Sequence, residues 1–349
     1  MAREASQTVP PEVLARYGLT PESAPRRFGT GLINDTFVVD APAGRLVLQR
    51  LHPVFSPRVH EDIDAVTRHL AVKGALTPRL IPTLSGALWV ERDGEVWRAQ
   101  TFVPGGQSFD RVPSVAMARE AGALVGRFHA DLADLDHEYR SVRVGVHDTA
   151  RHLQRLRGAL DAHRGHALYA DVAAVAAPLL DASRSLPDLS SLPRRHAHGD
   201  LKFSNLLFDE RGRGLCLVDL DTLALMPLAH ELGDALRSWC NPAGEDITDT
   251  AVDDAVLRAA LEGYAPANPN LTDAERATVV DGLATIALEL AARFACDALE
   301  ERYFGWDPSR FSSRGEHNLL RARGQWALAR DALTRRDALA AMADRALRG

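Results

Sequence analysis

Long apolar runs are missing from this 349-residue chain. None approaches the roughly 20 residues that a membrane-spanning helix needs, so no contact with a bilayer is expected. Cysteine is scarce as well. Cys216, Cys240 and Cys296 are odd in number, far apart and without CxxC or Cys/His spacing. That excludes a zinc motif and argues against a disulfide framework. An excess of basic charge is also lacking: 47 Asp and Glu outnumber 41 Lys and Arg, for a net charge of −6. Nucleic-acid binders draw their affinity from neutralising phosphates, so a nucleic-acid partner is not expected. The first dozen residues contain no apolar stretch of the kind a secretory signal carries, and the expectation is a reduced, cytoplasmic protein. What is present is ordinary globular composition, 46% apolar and 25% charged, which excludes wholesale disorder. The length suits two domains or one two-lobed domain.

The composition shifts near residues 104–113. Upstream, β-branched and aromatic runs at 36–39, 45–51, 88–91 and 96–103 are bounded by Gly, Pro or Asp, the signature of hairpins. Between them, 58–73 lacks Gly and Pro and places Ile63, Val66 and Leu70 at helical spacing. Downstream, Met117, Ala121, Leu124, Phe128 and Leu132 recur at spacings of three or four, one face of a buried helix. Further helices are expected near 149–160, 168–184, 251–264, 273–302 and 315–347. One strand pair, 205–208 and 215–218, interrupts them across a turn-rich link. The expected fold is therefore α+β: a small antiparallel sheet lobe over 1–104, a Pro-Gly-Gly hinge at 104–106, and a mainly helical lobe over 105–349.

The chemistry gathers at that strand pair. His198-x-Asp200-x4-Asn205 precedes Asp219, which ends an apolar strand. Phosphoryl transfer from a nucleotide needs a carboxylate to orient the attacking hydroxyl and take its proton, oxygen ligands for Mg²⁺, and positive charge on the moving group. Asp200 suits the first role. Asn205 and Asp219, at the two ends of a hairpin, suit the second, and Lys202 offers the charge. Each Asp or Asn alone is an ordinary turn or cap residue; the set with its spacing carries the signal.

These residues resemble the aminoglycoside phosphotransferase and choline kinase superfamily, relatives of protein kinases, whose pattern is HxDxxxxN followed by an apolar strand ending in Asp. The resemblance implies a protein-kinase-like two-lobed fold and ATP with Mg²⁺ as cofactors. It makes Asp200 the catalytic base, and Asn205 and Asp219 magnesium ligands. Asp221 becomes a further ligand or substrate contact, and His198 a brace of the loop. It also implies a glycine turn over the nucleotide phosphates at Gly29, Thr30 and Gly31, using backbone N–H groups. Arg50 stands where a basic residue meets the α- and β-phosphates, paired with an acid of the next helix (Glu61, Asp62 or Asp64). Gln100, Phe102 and Val103 fall on the connector whose backbone meets adenine.

Segments 48–55, 231–246, 302–305 and 316–323 look like the N-acetylhexosamine 1-kinase branch, which phosphorylates the anomeric hydroxyl of amino sugars. The chain departs from that branch at Leu32 and Gly199, where it usually carries His and Asn. On this reading Asp234, Arg237, Asn241 and Asp246 face a small-molecule hydroxyl acceptor, since sugars are recognised through hydrogen bonds to their hydroxyls. Trp239 would pack against the ring's apolar face. Asp234 and Arg237, at i and i+3, fit a structural ion pair equally well. Three alternatives stand beside the sugar kinase: an aminoglycoside or choline-like kinase, an amino-acid hydroxyl kinase, and a non-catalytic pseudokinase serving as a binding module. Aromatics at 6% leave little for the cage that a quaternary ammonium would want. Asp200, Asn205 and Asp219 are all present, against the pseudokinase.

Overall fold

Alternating apolar residues in the first hundred positions fold onto one another as hairpins. In a computed structural model of the chain, which describes residues 8–29, 34–142 and 145–349, they form strands β1 (Arg26–Arg27) to β6. Helix α1 (Pro11–Arg16) precedes them. β2 (Asp35–Ala41) and β3 (Gly44–Arg50) pair in register Asp35↔Arg50. Helix α2 (Val59–Val72) buries Ile63, Val66 and Leu70, the spacing the sequence shows. β4 (Leu80–Ile81) and the hairpin β5 (Val90–Arg92) and β6 (Glu95–Thr101) complete an antiparallel sheet in the order β1-β2-β3-β6-β4, with β5 also on β6. The β5–β6 turn puts Asp93 at φ 50° and Gly94 at φ 76°, the two positive values a tight hairpin turn requires. Side chains of period two place Phe37, Val39, Leu46, Leu48, Trp97 and Ala99 in one core, onto which α1 packs Val13 and the following Tyr17. The Tyr17 hydroxyl donates to the Trp97 carbonyl at 3.2 Å.

The chain divides into two units. The first comprises Met1–Gly106, Asp134–Arg143 and Val218–Leu223. Buried carboxylates tie these segments together. Asp62 of α2 accepts from the His137 ring and from the backbone N–H groups of Arg140 and Ser141. Asp221 takes the Arg98 guanidinium of β6.

The second unit comprises Gln107–Ala133, Val144–Leu217 and Ala224–Gly349. It is helical: α3 (Val115–Asp131), α4 (Thr149–Ala162), α5 (Tyr169–Ala182), α6 (Leu228–Trp239), α7 (Asp254–Ala267), α8 (Asp273–Ala277), α9 (Val279–Glu300), α10 (Arg314–Thr334) and α11 (Arg336–Arg348). The expected helix 273–302 breaks at Thr278, and 315–347 breaks at Arg335. Helix α9 is buried almost all round and forms the core. Small residues let helices cross closely: a methyl added to Gly282 of α9 would lie 1.8 Å from the Ala229 carbonyl oxygen of α6. Two strand pairs sit among the helices. β8 (Leu206–Phe208) and β9 (Gly214–Leu217) form the expected hairpin, and β7 (Arg194–Ala197) pairs with β10 (Ala224–Pro227).

Candidate active site

The motif loop 198–205 runs from the end of β7 to the start of β8, and α6 lies against it. Polar side chains recur along α6 at Glu231, Asp234 and Ser238, three or four apart and hence on one helix face. Each meets a loop amide. The Glu231 carboxylate, fully buried, accepts from the backbone N–H of His198 at 2.7 Å and of Gly199 at 2.9 Å. Asp234 Oδ2 accepts from Leu201 N at 2.8 Å, and Ser238 Oγ from Phe203 N at 3.2 Å. The Trp239 indole N–H donates to the Leu201 carbonyl at 2.8 Å. Behind Glu231 the network continues through the His129 ring of α3 at 3.2 Å to the Tyr264 hydroxyl of α7 at 2.8 Å. Gly199 takes φ 81°, a left-handed value that a Cβ disfavours.

Held this way, the loop presents Asp200 half-buried. Its Oδ2 accepts from Lys202 Nζ and from Asn205 Nδ2, both at 3.1 Å, and Asn205 Nδ2 also reaches the Asp200 carbonyl at 2.8 Å. Burial opposes charge on Asp200, but Lys202 and His198 outweigh it and hold the carboxyl below the usual carboxylate range. Asp200 is therefore ionised at neutral pH, the state a proton acceptor needs. His198 is wholly buried. The Asn205 amide carries an oxygen beside the Nδ2 that bonds Asp200. Asp219 follows β9 by two residues in the left-handed region, φ 63° and ψ 54°. An amide oxygen and a carboxylate are hard donors that fit Mg²⁺, which keeps only one or two protein ligands and fills its shell with phosphate and water. Among the described residues no cluster of three or more His, Cys, Asp or Glu could hold a metal by itself.

Several expected site residues are engaged elsewhere. Asp221 is 1% exposed, and both its oxygens are taken by Arg98, with Asn34 Nδ2 at 2.6 Å on Oδ2. Asp221 therefore stands in this structure as the buried partner of Arg98 and Asn34. Arg50 is buried, with Nε 2.8 Å from Asp35 and a second bond to Glu95. Its carboxylates thus come from the sheet, because Asp35 is its cross-strand neighbour. The α2 acids have other partners: Glu61 holds Arg58, Asp64 holds Arg68, and Asp62 holds segment 137–141. Thr30 and Gly31 lie outside the described residues, and Gly29 takes φ 78°. Phe102 packs edge-on against Phe28 and under Arg45, and Val103 is buried.

Arg237 pairs with Asp234 at 2.7 Å and with Glu245 at 2.7 Å. The structural ion pair therefore exists, and Asp234 also holds the loop. Asn241 braces its own turn, donating to the Gly244 carbonyl and accepting from Thr250. Asp246 gathers Arg310, His317 and Arg321. Trp239 is 3% exposed and packs edge-on against Phe203, so it has no face to offer a sugar. Sequence reasoning missed the loop-holding role of Glu231 and Ser238 and the part of His129 behind them. The available signal was the polar stripe at 231, 234 and 238.

An antiparallel sheet unit, a helical unit and a braced HxDxxxxN loop bearing an ionised aspartate define a kinase-like α+β phosphotransferase. Comparison with known proteins gives the family. The phosphotransferase enzyme family matches residues 25–270, and the chain belongs to it. A homoserine kinase of Xanthobacter autotrophicus is 27% identical over 256 residues, 71% of this chain and 73% of that protein. Among solved structures, the amicoumacin kinase hAmiN in complex with AMP-PNP, Ca²⁺ and Ami is similar at TM-score 0.64 and 17% identity, covering 90% of this chain and 91% of that one. A microcompartment-associated aminopropanol kinase is similar at TM-score 0.60 and 15% identity, covering 93% and 96%. At these identities the structures establish the common fold.

Proposed function

We propose that this protein transfers the γ-phosphoryl group of ATP, with Mg²⁺, to a hydroxyl of a small molecule. The observation that carries the reading is the Asp200 carboxylate, ionised and partly exposed on a loop whose amides are tied to α6. Asp200 orients the acceptor hydroxyl and takes its proton. Lys202, on the same carboxylate oxygen, supplies positive charge beside the moving phosphoryl group. Asn205 and Asp219 are the protein ligands of the magnesium ion, which neutralises phosphate charge when bound. Gly29, Thr30, Gly31 and Arg50 belong to the phosphate cradle, and Gln100, Phe102 and Val103 to the adenine contact. The active form works in the cytoplasm, without nucleic acid or membrane.

For the acceptor, the first reading is a reducing sugar phosphorylated at its anomeric hydroxyl. Its support is the segmental resemblance at 48–55, 231–246, 302–305 and 316–323 to N-acetylhexosamine 1-kinases. Because Asp234, Arg237, Asn241 and Asp246 already bond to protein groups, their part is to shape the acceptor wall rather than to meet each hydroxyl directly. The second reading is the side-chain hydroxyl of an amino acid, favoured by the 27% identity to a homoserine kinase.

Phosphorus NMR of reactions with N-acetylhexosamines, homoserine, aminoglycosides and choline separates the two. The first reading expects phosphorus coupled to an anomeric proton. Product from homoserine alone transfers the assignment to the second. No product with any acceptor, in protein that binds ATP, defeats the kinase reading. Asp200→Asn should cut turnover by about 10² or more while nucleotide binding holds, the scale of a general base.

A further inference from the structure

Asp221 stands two residues after Asp219 and is the hub of a closed network in the first unit. Arg98 of β6, itself 1% exposed, grips both carboxylate oxygens, and its Nε donates to Gln49 Oε1 of β3 at 2.8 Å. Asn34, just before β2, donates to Asp221 at 2.6 Å and accepts from His52 N at 2.9 Å. Through the Asp221 side chain the short segment Val218–Leu223 is thus tied to β6 and to the residue that precedes β2, and Arg98 carries the network on to β3. Asp219 meanwhile holds a left-handed backbone, which an L-residue keeps only where its surroundings over-determine it. A buried ion pair is a poor source of stability, because desolvation offsets the attraction. What such a pair does supply is direction: a guanidinium fork accepts a carboxylate in one plane.

We propose that Asp221, Arg98 and Asn34 are positioning residues that set the backbone of Asp219, and with it the aim of its carboxylate at a divalent cation carried by nucleotide phosphates. The inference rests on the reading of Asp219 as the cation ligand. It turns a residue that sequence assigns to the metal into the support of the metal's ligand.

The test measures Mn²⁺ affinity by electron paramagnetic resonance in the presence of AMP-PNP, together with metal-free AMP-PNP binding and the thermal midpoint. Arg98→Met/Asp221→Leu removes both charges and leaves neither buried alone. The expected result is a folded protein with unchanged metal-free AMP-PNP binding and Mn²⁺ affinity lowered tenfold or more. Arg98→Lys keeps the charge without the fork, and should lower Mn²⁺ affinity severalfold even where the double variant fails to fold. Mn²⁺ affinity within twofold of wild type in either folded variant overturns the proposal. Asp219→Ala separates the two levels. If it leaves Mn²⁺ affinity unchanged, the ligand reading itself falls. If it weakens Mn²⁺ while the Arg98 variants do not, only the positioning role falls.

Discussion

Glu231→Gln probes whether α6 holds the motif loop. The carboxylate is fully buried and takes three donors: His198 N at 2.7 Å, Gly199 N at 2.9 Å and the His129 ring at 3.2 Å. Burial opposes its charge, yet those donors more than compensate and hold its carboxyl below the usual glutamate range. Glutamine keeps the shape but exchanges one acceptor oxygen for an NH₂ that faces an amide donor. One buried N–H is then left unpaired, at about 1–3 kcal/mol. The remaining bonds lose the charge assistance that roughly doubles their strength. Together the cost is about 2–4 kcal/mol. At this chain length a kcal/mol moves the midpoint by roughly 2 °C, so a drop of several degrees is expected in the transition of the helical unit. The loop also shifts, and a misplacement on the order of 1 Å costs about 10²-fold in rate. Steady-state kinetics should show kcat reduced by roughly 10–100-fold with KM for ATP little changed. A variant with wild-type kcat and midpoint would refute the claim that these bonds position Asp200.

Three further outcomes follow from the same geometry. Lys202→Met removes the main charge favouring ionised Asp200, so the Asp200 pKa rises. Wild-type activity persists above a depressed pKa and fades as pH falls through it, so the acid limb of the kcat profile should move to higher pH; a limb that stays or moves lower contradicts the account. Asp219→Ala should abolish the dependence of AMP-PNP affinity on Mg²⁺, read by calorimetry with and without the metal, and a retained dependence removes Asp219 from the metal site. Gly282→Ala sets a methyl against the Ala229 carbonyl and should cost about 1–3 kcal/mol or more through overpacking of α6 on α9, measured by denaturant unfolding. An unchanged midpoint would mean the helices separate freely.

Periodicity alone was enough for the elements whose faces are simple. α2 and α3 follow their i, i+3, i+4 apolar stripes, and the hairpins follow Gly, Pro and Asp punctuation, because burial and turn sterics act over a few residues. The motif's spacing likewise marked Asp200 and Asn205, since HxDxxxxN places both on one short loop. Helix α6 escaped that reading. It buries Glu231, Asp234 and Arg237 as thoroughly as Leu232 and Leu236, so its polar stripe, though legible in the pattern, does not face solvent as a polar stripe ordinarily does. Its polar face is meaningful only once the 198–205 loop lies against it.

The same holds for the charges that sequence assigned to ligands. Asp221 and Arg98 are 123 residues apart, and only the folded chain shows that they meet as a buried pair. Trp239 could be a stacking platform or a buried brace until its indole N–H is seen on Leu201. Sequence determines which groups are available and how neighbours along one strand or helix face. Which distant donor meets which acceptor is set by tertiary packing, since a buried polar group must take whatever partner the fold brings within about 3 Å.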